Sequence, residues 1–144
     1  MTRNAVDRMF AQDEATATLP LVRGIVDDIR RDGRDLAAVL PRLKEARIRA
    51  RRERAPSPDL AVLRERVAEI TTRFEGYLAE LAQIGCVYRG SSGHVDFRAQ
   101  DQGQPVFFCW SPDEEAVEFV HSLGLNCQHR THIEVPAVLP LVGS

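Results

Sequence analysis

The spacing of apolar residues between positions 22 and 84 constrains this 144-residue chain more than any other feature. Val22, Ile25, Ile29, Asp32, Leu36, Val39, Leu43, Ala46 and Ala50 recur at alternating intervals of three and four. That is the period of a helix that buries one stripe. Asp32 is the one polar member. Gly33 and Pro41 fall inside the run without shifting its phase, so the spacing predicts one bent helix rather than two unrelated ones. Ala55-Pro56-Ser57-Pro58-Asp59 reads as a turn, with Ser57 as N-cap and Pro58 at the first helical position. A second stripe follows: Leu60, Leu63, Val67, Ile70, Phe74, Tyr77, Leu81 and Ile84, closed by Gly85 as a C-cap. Two heptad helices joined by a short turn make an antiparallel hairpin with coiled-coil packing. Upstream, residues 13–18 read as a short helical stretch, and Pro20 opens the long helix.

Beyond residue 85 the period changes to two. Val95 and Phe97 alternate with His94, Asp96 and Arg98; Val106, Phe108 and Trp110 alternate with Phe107 and Cys109; Val117 and Phe119 alternate with Ala116, Glu118 and Val120. Period two means strands. Cys86-Val87-Tyr88-Arg89 fits a first strand, and turns fall at residues 90–93, at Gln102-Gly103 and at Pro112-Asp113-Glu114. Helices followed by consecutive strands define an α+β fold: a long antiparallel helical hairpin, coiled-coil-like, followed by a small antiparallel β-meander. The length suits a single domain over 1–144, with the hairpin at 9–84, the sheet and tail at 86–133 and a loose C-terminus at 134–144.

The strand faces carry the chemistry. Val95, Phe97, Val106, Phe108, Trp110, Val117 and Phe119 make an apolar face suited to the hairpin. Pairing Phe97 with Phe108 and Phe108 with Phe119 then aligns Asp96, Cys109 and Glu118 across the opposite face, with Cβ atoms about 5 Å apart. His121 falls on the apolar face or beyond the strand end. Three uses of such a row compete. In the simplest, Asp96 and Glu118 pair with Arg98 or Arg130 and hold the tail. In the second, Asp96, Cys109 and Glu118 bind a metal with His121 or His94, a donor set acceptable to zinc or iron. In the third, Cys109 is a nucleophile with His121 as base, although no local signature supports it and flanking carboxylates raise a thiol pKa.

Other features narrow the field. The first residues are polar, no run reaches the ~20 apolar residues of a membrane helix, and three spaced cysteines suit a reducing compartment, so a cytoplasmic protein is expected. Cys127-Gln128-His129-Arg130-Thr131-His132 lacks a standard zinc spacing and reads as a polar surface segment. Residues 42–54 hold seven basic residues against Glu45 and Glu53, a net of +5 at the hairpin tip in a chain of net charge −2. Arg47, Arg49, Arg51, Arg52 and Arg54 there would suit phosphate contacts or an acidic partner. No aromatic is interleaved, and a solvated helix face is the plainer reading. There is no phosphate-binding glycine loop, no Gly-x-Ser-x-Gly elbow and no kinase or dinucleotide fingerprint, which leans away from an enzyme.

Together these motifs resemble the bacterial proteins grouped as domain of unknown function 2203. The resemblance rests on Phe10, Glu14-Ala15 and Leu19-Pro20, then on Gly93-His94-Val95-Asp96-Phe97, Gly103 and Val106-Phe107-Phe108-Cys109-Trp110. Glu118, His121, Gly124 and Arg130 continue it to about residue 133. The family commonly has an aromatic where Val120 stands and a hydrophobic residue where His94 stands. The resemblance implies the hairpin-plus-sheet architecture and points to Asp96, Cys109, Glu118, His121 and Arg130 as shared polar positions; it implies no activity. The expectation is a small binding protein acting through its hairpin and sheet, self-associating through the hairpin as such hairpins do when they complete four-helix bundles. A metal-binding protein or metalloenzyme, with zinc or iron on Asp96, Cys109, Glu118 and His121, is the alternative. Nucleic-acid binding at the tip is a second alternative.

Overall fold

The computed structural model describes residues 8–90 and 92–134. They fall into two compact units, one formed by Leu21–Leu81 and one by residues 8–20 with 82–134.

The first unit is the helical hairpin. Helix α2 (Leu19–Glu53) runs without interruption through Gly33 and Pro41, and α3 (Pro58–Ile84) follows a short turn. Ser57 caps α3, its Oγ accepting from the Leu60 N–H at 3.4 Å. Gly85 ends α3 with φ of 106°, a left-handed value that disfavours any side chain. Val39, Leu43 and Ala46 of α2 pack with Leu63 of α3, flanked by Leu60 and Val67. The polar member of the stripe is buried as well: Asp32 is 1% exposed. Its carboxylate accepts from the Tyr77 hydroxyl at 2.8 Å and meets Arg73 Nε at 3.3 Å and Arg31 Nε at 3.5 Å. The Tyr77 hydrogen bond, aided by both guanidiniums, holds the Asp32 carboxyl below its ordinary range against the opposing effect of burial.

The second unit is a five-stranded antiparallel meander in the order β1-β2-β3-β4-β5. The strands are β1 (Cys86–Arg89), β2 (His94–Asp101), β3 (Gln104–Trp110), β4 (Phe119–Ser122) and β5 (Thr131–His132). Gln102 and Gly103 both have positive φ, 52° and 79°. Such a two-residue turn fixes the register of its hairpin. Phe97 therefore faces Phe108, and Asp96 faces Cys109, as expected. Val95, Phe97, Phe108 and Trp110 are buried on the apolar face. Phe10 packs edge-on to Phe97 at 5.1 Å between ring centres. Its N–H donates to the Arg98 carbonyl at 2.8 Å, just beyond the point where β1 stops pairing with β2.

The next pairing departs from the expected register. Phe108 faces Val120, and Phe107 faces His121, a slip of one residue. Val117 is buried but lies outside any strand, because the short helix α1 (Gln12–Ala17) takes its backbone groups. Gln12 Nε2 donates to the Val117 carbonyl at 2.9 Å, and the Val117 N–H donates to Thr16 Oγ1 at 3.1 Å. The strand therefore starts at Phe119 and extends through His121. A one-residue slip moves every side chain to the other face, so Phe119 leaves the apolar face and His121 leaves it too. The tail adds a 3-10 turn at Cys127–His129, capped by Asn126, and the short strand β5; the Ile133 N–H donates to the Glu118 carbonyl at 2.8 Å. The expected loose end, apart from Glu134, lies outside the described residues.

Candidate metal centre

Asp96 sits in mid-sheet, 2% exposed, on the face opposite Phe97. A carboxylate there needs compensation for the water it has lost. Arg89 supplies one part, its Nε donating to Oδ2 at 2.8 Å. His121 supplies the other, with Nε2 at 3.1 Å from Oδ1. Cys109, directly across the ladder, is fully buried. The Asp96 carboxylate, the Cys109 Sγ and a His121 ring nitrogen all lie within 4.8 Å of one another.

The two ring-nitrogen contacts of His121 are informative. Its Nδ1 lies 2.9 Å from the Ser122 carbonyl, and a carbonyl can only accept, so Nδ1 carries a hydrogen. In a neutral imidazole Nε2 then presents a lone pair, aimed at a carboxylate oxygen. Two acceptors meet at 3.1 Å only with a cation between them, either a proton or a metal ion. A backbone carbonyl on the far ring nitrogen is also the usual way a protein orients a histidine ligand.

Burial is the main force that pushes the Cys109 thiol up to about 12; the Asp96 charge adds to it and Arg130 opposes it. A thiol so held is a poor nucleophile near neutral pH, and becomes a strong ligand when a metal displaces its proton.

The remaining residues fall as follows. Glu118 is exposed and outside the row, because the slipped register puts Phe119 opposite Cys109, where the carboxylate was expected. Arg130 pairs with neither Asp96 nor Glu118. It forms a two-pronged bridge to Glu114, at 2.6 and 2.9 Å, and lies over the Phe119 ring at 3.9 Å. Asp96 pairs with Arg89 in place of the expected Arg98 or Arg130. His94 borders the site with a buried Nδ1 that has no hydrogen-bond partner among the described residues. Arg47, Arg49, Arg51 and Arg52 are exposed near the end of α2, and Arg54 follows the helix at φ of 50°; these five belong to the other unit.

Two functional neighbours were not anticipated. Arg89 faces His94 across the first hairpin, which places it diagonal to Asp96; the turn at residues 90–93 carried that signal. Glu114 organises the segment after β3: its carbonyl accepts from Trp110 Nε1 and its carboxylate from the Ser111 N–H, both at 2.8 Å. A cavity of about 370 Å³ reaches Asp96 from the surface, bordered by Arg89, Asn126, Cys127 and Gln128.

No helix among the described residues is long and apolar enough to cross a membrane. A family model described as an uncharacterized conserved protein, domain of unknown function 2203, matches residues 8–133. No curated protein and no solved structure matches the chain. The chain belongs to the domain of unknown function 2203 family.

Proposed function

We propose that this chain binds a divalent transition metal, zinc or ferrous iron, through Asp96, Cys109 and His121. The observation that carries the reading is the gathering of three donor atoms: His121 Nε2 lies 3.1 Å from an Asp96 carboxylate oxygen, with Cys109 Sγ within 4.8 Å of both, while Nδ1 faces a backbone carbonyl at 2.9 Å. With metal–ligand bonds of roughly 2.0–2.3 Å, neighbouring ligand atoms in a tetrahedral zinc site stand roughly 3.2–3.8 Å apart. The Asp96–His121 pair is already about that close at 3.1 Å, and Cys109 Sγ lies within 4.8 Å of both. Three protein ligands leave a position open, the pattern of a site that takes water or substrate. The cavity beside Asp96 supports an open position there. Metal analysis of protein purified without an affinity tag tests this. One equivalent of zinc or iron is expected, lost in His121→Ala and in Cys109→Ser. Cobalt substitution should give a thiolate charge-transfer absorption that Cys109→Ser abolishes. Absence of bound metal after dialysis against zinc, with His121→Ala lowering stability alone, would leave a buried Arg89–Asp96–His121 ion-pair network.

A second reading is self-association through the hairpin. Leu40, Ile48, Val62 and Leu78 are 45–64% exposed there and support it. Light scattering after size exclusion decides it: a dimer at micromolar concentration is expected, and a 16.1 kDa species defeats the idea.

A further inference from the structure

We infer that the tip of the helical hairpin is a binding surface for the phosphate backbone of a nucleic-acid duplex. At 100° per residue, the basic residues of 42–54 sort onto two sides of α2. Lys44, Arg47 and Arg51 share one side. Arg42, Arg49 and Arg52 lie on the other, together with both acids of the segment, Glu45 and Glu53. The first side is therefore uniformly cationic over two turns, about 10 Å. Arg64 of α3 joins it: Arg47, Arg51 and Arg64 line a shallow cleft of about 420 Å³, with Ala50 and Leu60 between them.

The ion pairs near the tip fall elsewhere. Asp59 meets Arg49, on the mixed side of α2, at 4.0 Å. Asp35 and Glu69 meet Arg66. Among the described residues Lys44, Arg47, Arg51 and Arg64 have no carboxylate partner. Like charges four apart on a helix repel, so Arg47 and Arg51 raise the energy of the free surface and lower it when an anion arrives. Three guanidiniums around one cleft suit phosphate oxygens, which they can grip in pairs. A row of such contacts along a helix fits a repeating polyanion better than a single phosphate. With no aromatic at the tip there is nothing for unpaired bases to stack on, which favours a duplex held by its backbone over a single strand.

The test is fluorescence anisotropy of labelled 24-base-pair DNA and RNA duplexes, with the matching single strands, from 50 to 300 mM salt. The wild-type chain should bind duplex, with a log–log salt slope near −3 for three to four neutralised phosphates. The triple variant R47Q/R51Q/R64Q should lose at least tenfold in affinity and most of that slope. R42Q/R49Q/R52Q removes the same charge from the mixed side and should change affinity less than threefold. Circular dichroism confirms that both stay helical. No duplex binding at 50 mM salt, or equal losses from the two triples, overturns the proposal. So does equal competition by polyglutamate, which points to an acidic protein partner. All of these readings are independent of metal at the sheet.

Discussion

Glu114 and Arg130 show how one pair can organise a segment that lacks regular structure. Both side chains are less than one-fifth exposed, so water weakens their bridge little. Glu114→Ala removes the bridge and the acceptor for the Ser111 N–H, and leaves the Arg130 guanidinium partly buried beside Cys109. We expect a loss of about 2–4 kcal/mol in urea denaturation. Asp32 is the corresponding residue of the hairpin. Its folded pKa lies below the unfolded value of 3.8, so its contribution is complete above about pH 5 and disappears as pH falls through the folded value. Asp32→Asn should cost about 1–3 kcal/mol at pH 7. The gap between variant and wild type should narrow below pH 4, as read from thermal melts across pH. A constant gap would mean that the charge of Asp32 contributes nothing.

The elements differ in how far the sequence revealed them. Both long helices were legible because their apolar period survives Gly33 and Pro41, and a helix stripe needs no partner to be recognised. The β2–β3 pairing was legible because the Gln102-Gly103 turn leaves only one register. The β3–β4 pairing was not, because the residues between Trp110 and Phe119 impose no register. Val117 and Phe119 alternate as a strand would, yet the Val117 backbone bonds to Gln12 and Thr16, some hundred residues earlier. Two of the three residues of the site, Asp96 and Cys109, came from the well-fixed hairpin. His121 was singled out but expected on the apolar face or beyond the strand end, and the difference follows from that slip. Pro41 gives the element-scale prediction. It is exposed inside α2, where it lacks an N–H and crowds the carbonyl of residue 37. Pro41→Ala should stabilise the hairpin by up to about 3 kcal/mol, raising its melting temperature. A lower melting temperature would mean that the proline shape is required.

At the scale of the molecule, the acidic net charge of −2 conceals a basic hairpin end and a sheet built around one buried carboxylate. The sheet unit gives the metal proposal a thermodynamic readout. A ligand that binds only the folded state stabilises by about 2.7 kcal/mol at a hundred times its dissociation constant. Zinc should therefore raise the melting temperature of the wild-type chain and leave that of His121→Ala unmoved. An equal rise in both would place the zinc elsewhere.

The bonds from Phe10, Gln12 and Thr16 to Arg98 and Val117 also set an order of events. They close loops of roughly ninety to a hundred residues, so their ordering cost falls due before they return any stability. The helical arm, whose two helices are joined by a short turn, can assemble on its own while the ribosome is still adding strands. The sheet unit must wait for residues at both extremes of the described chain. Asp96, Cys109 and His121 meet within that unit, so their assembly belongs to the late phase of folding, after the arm has formed.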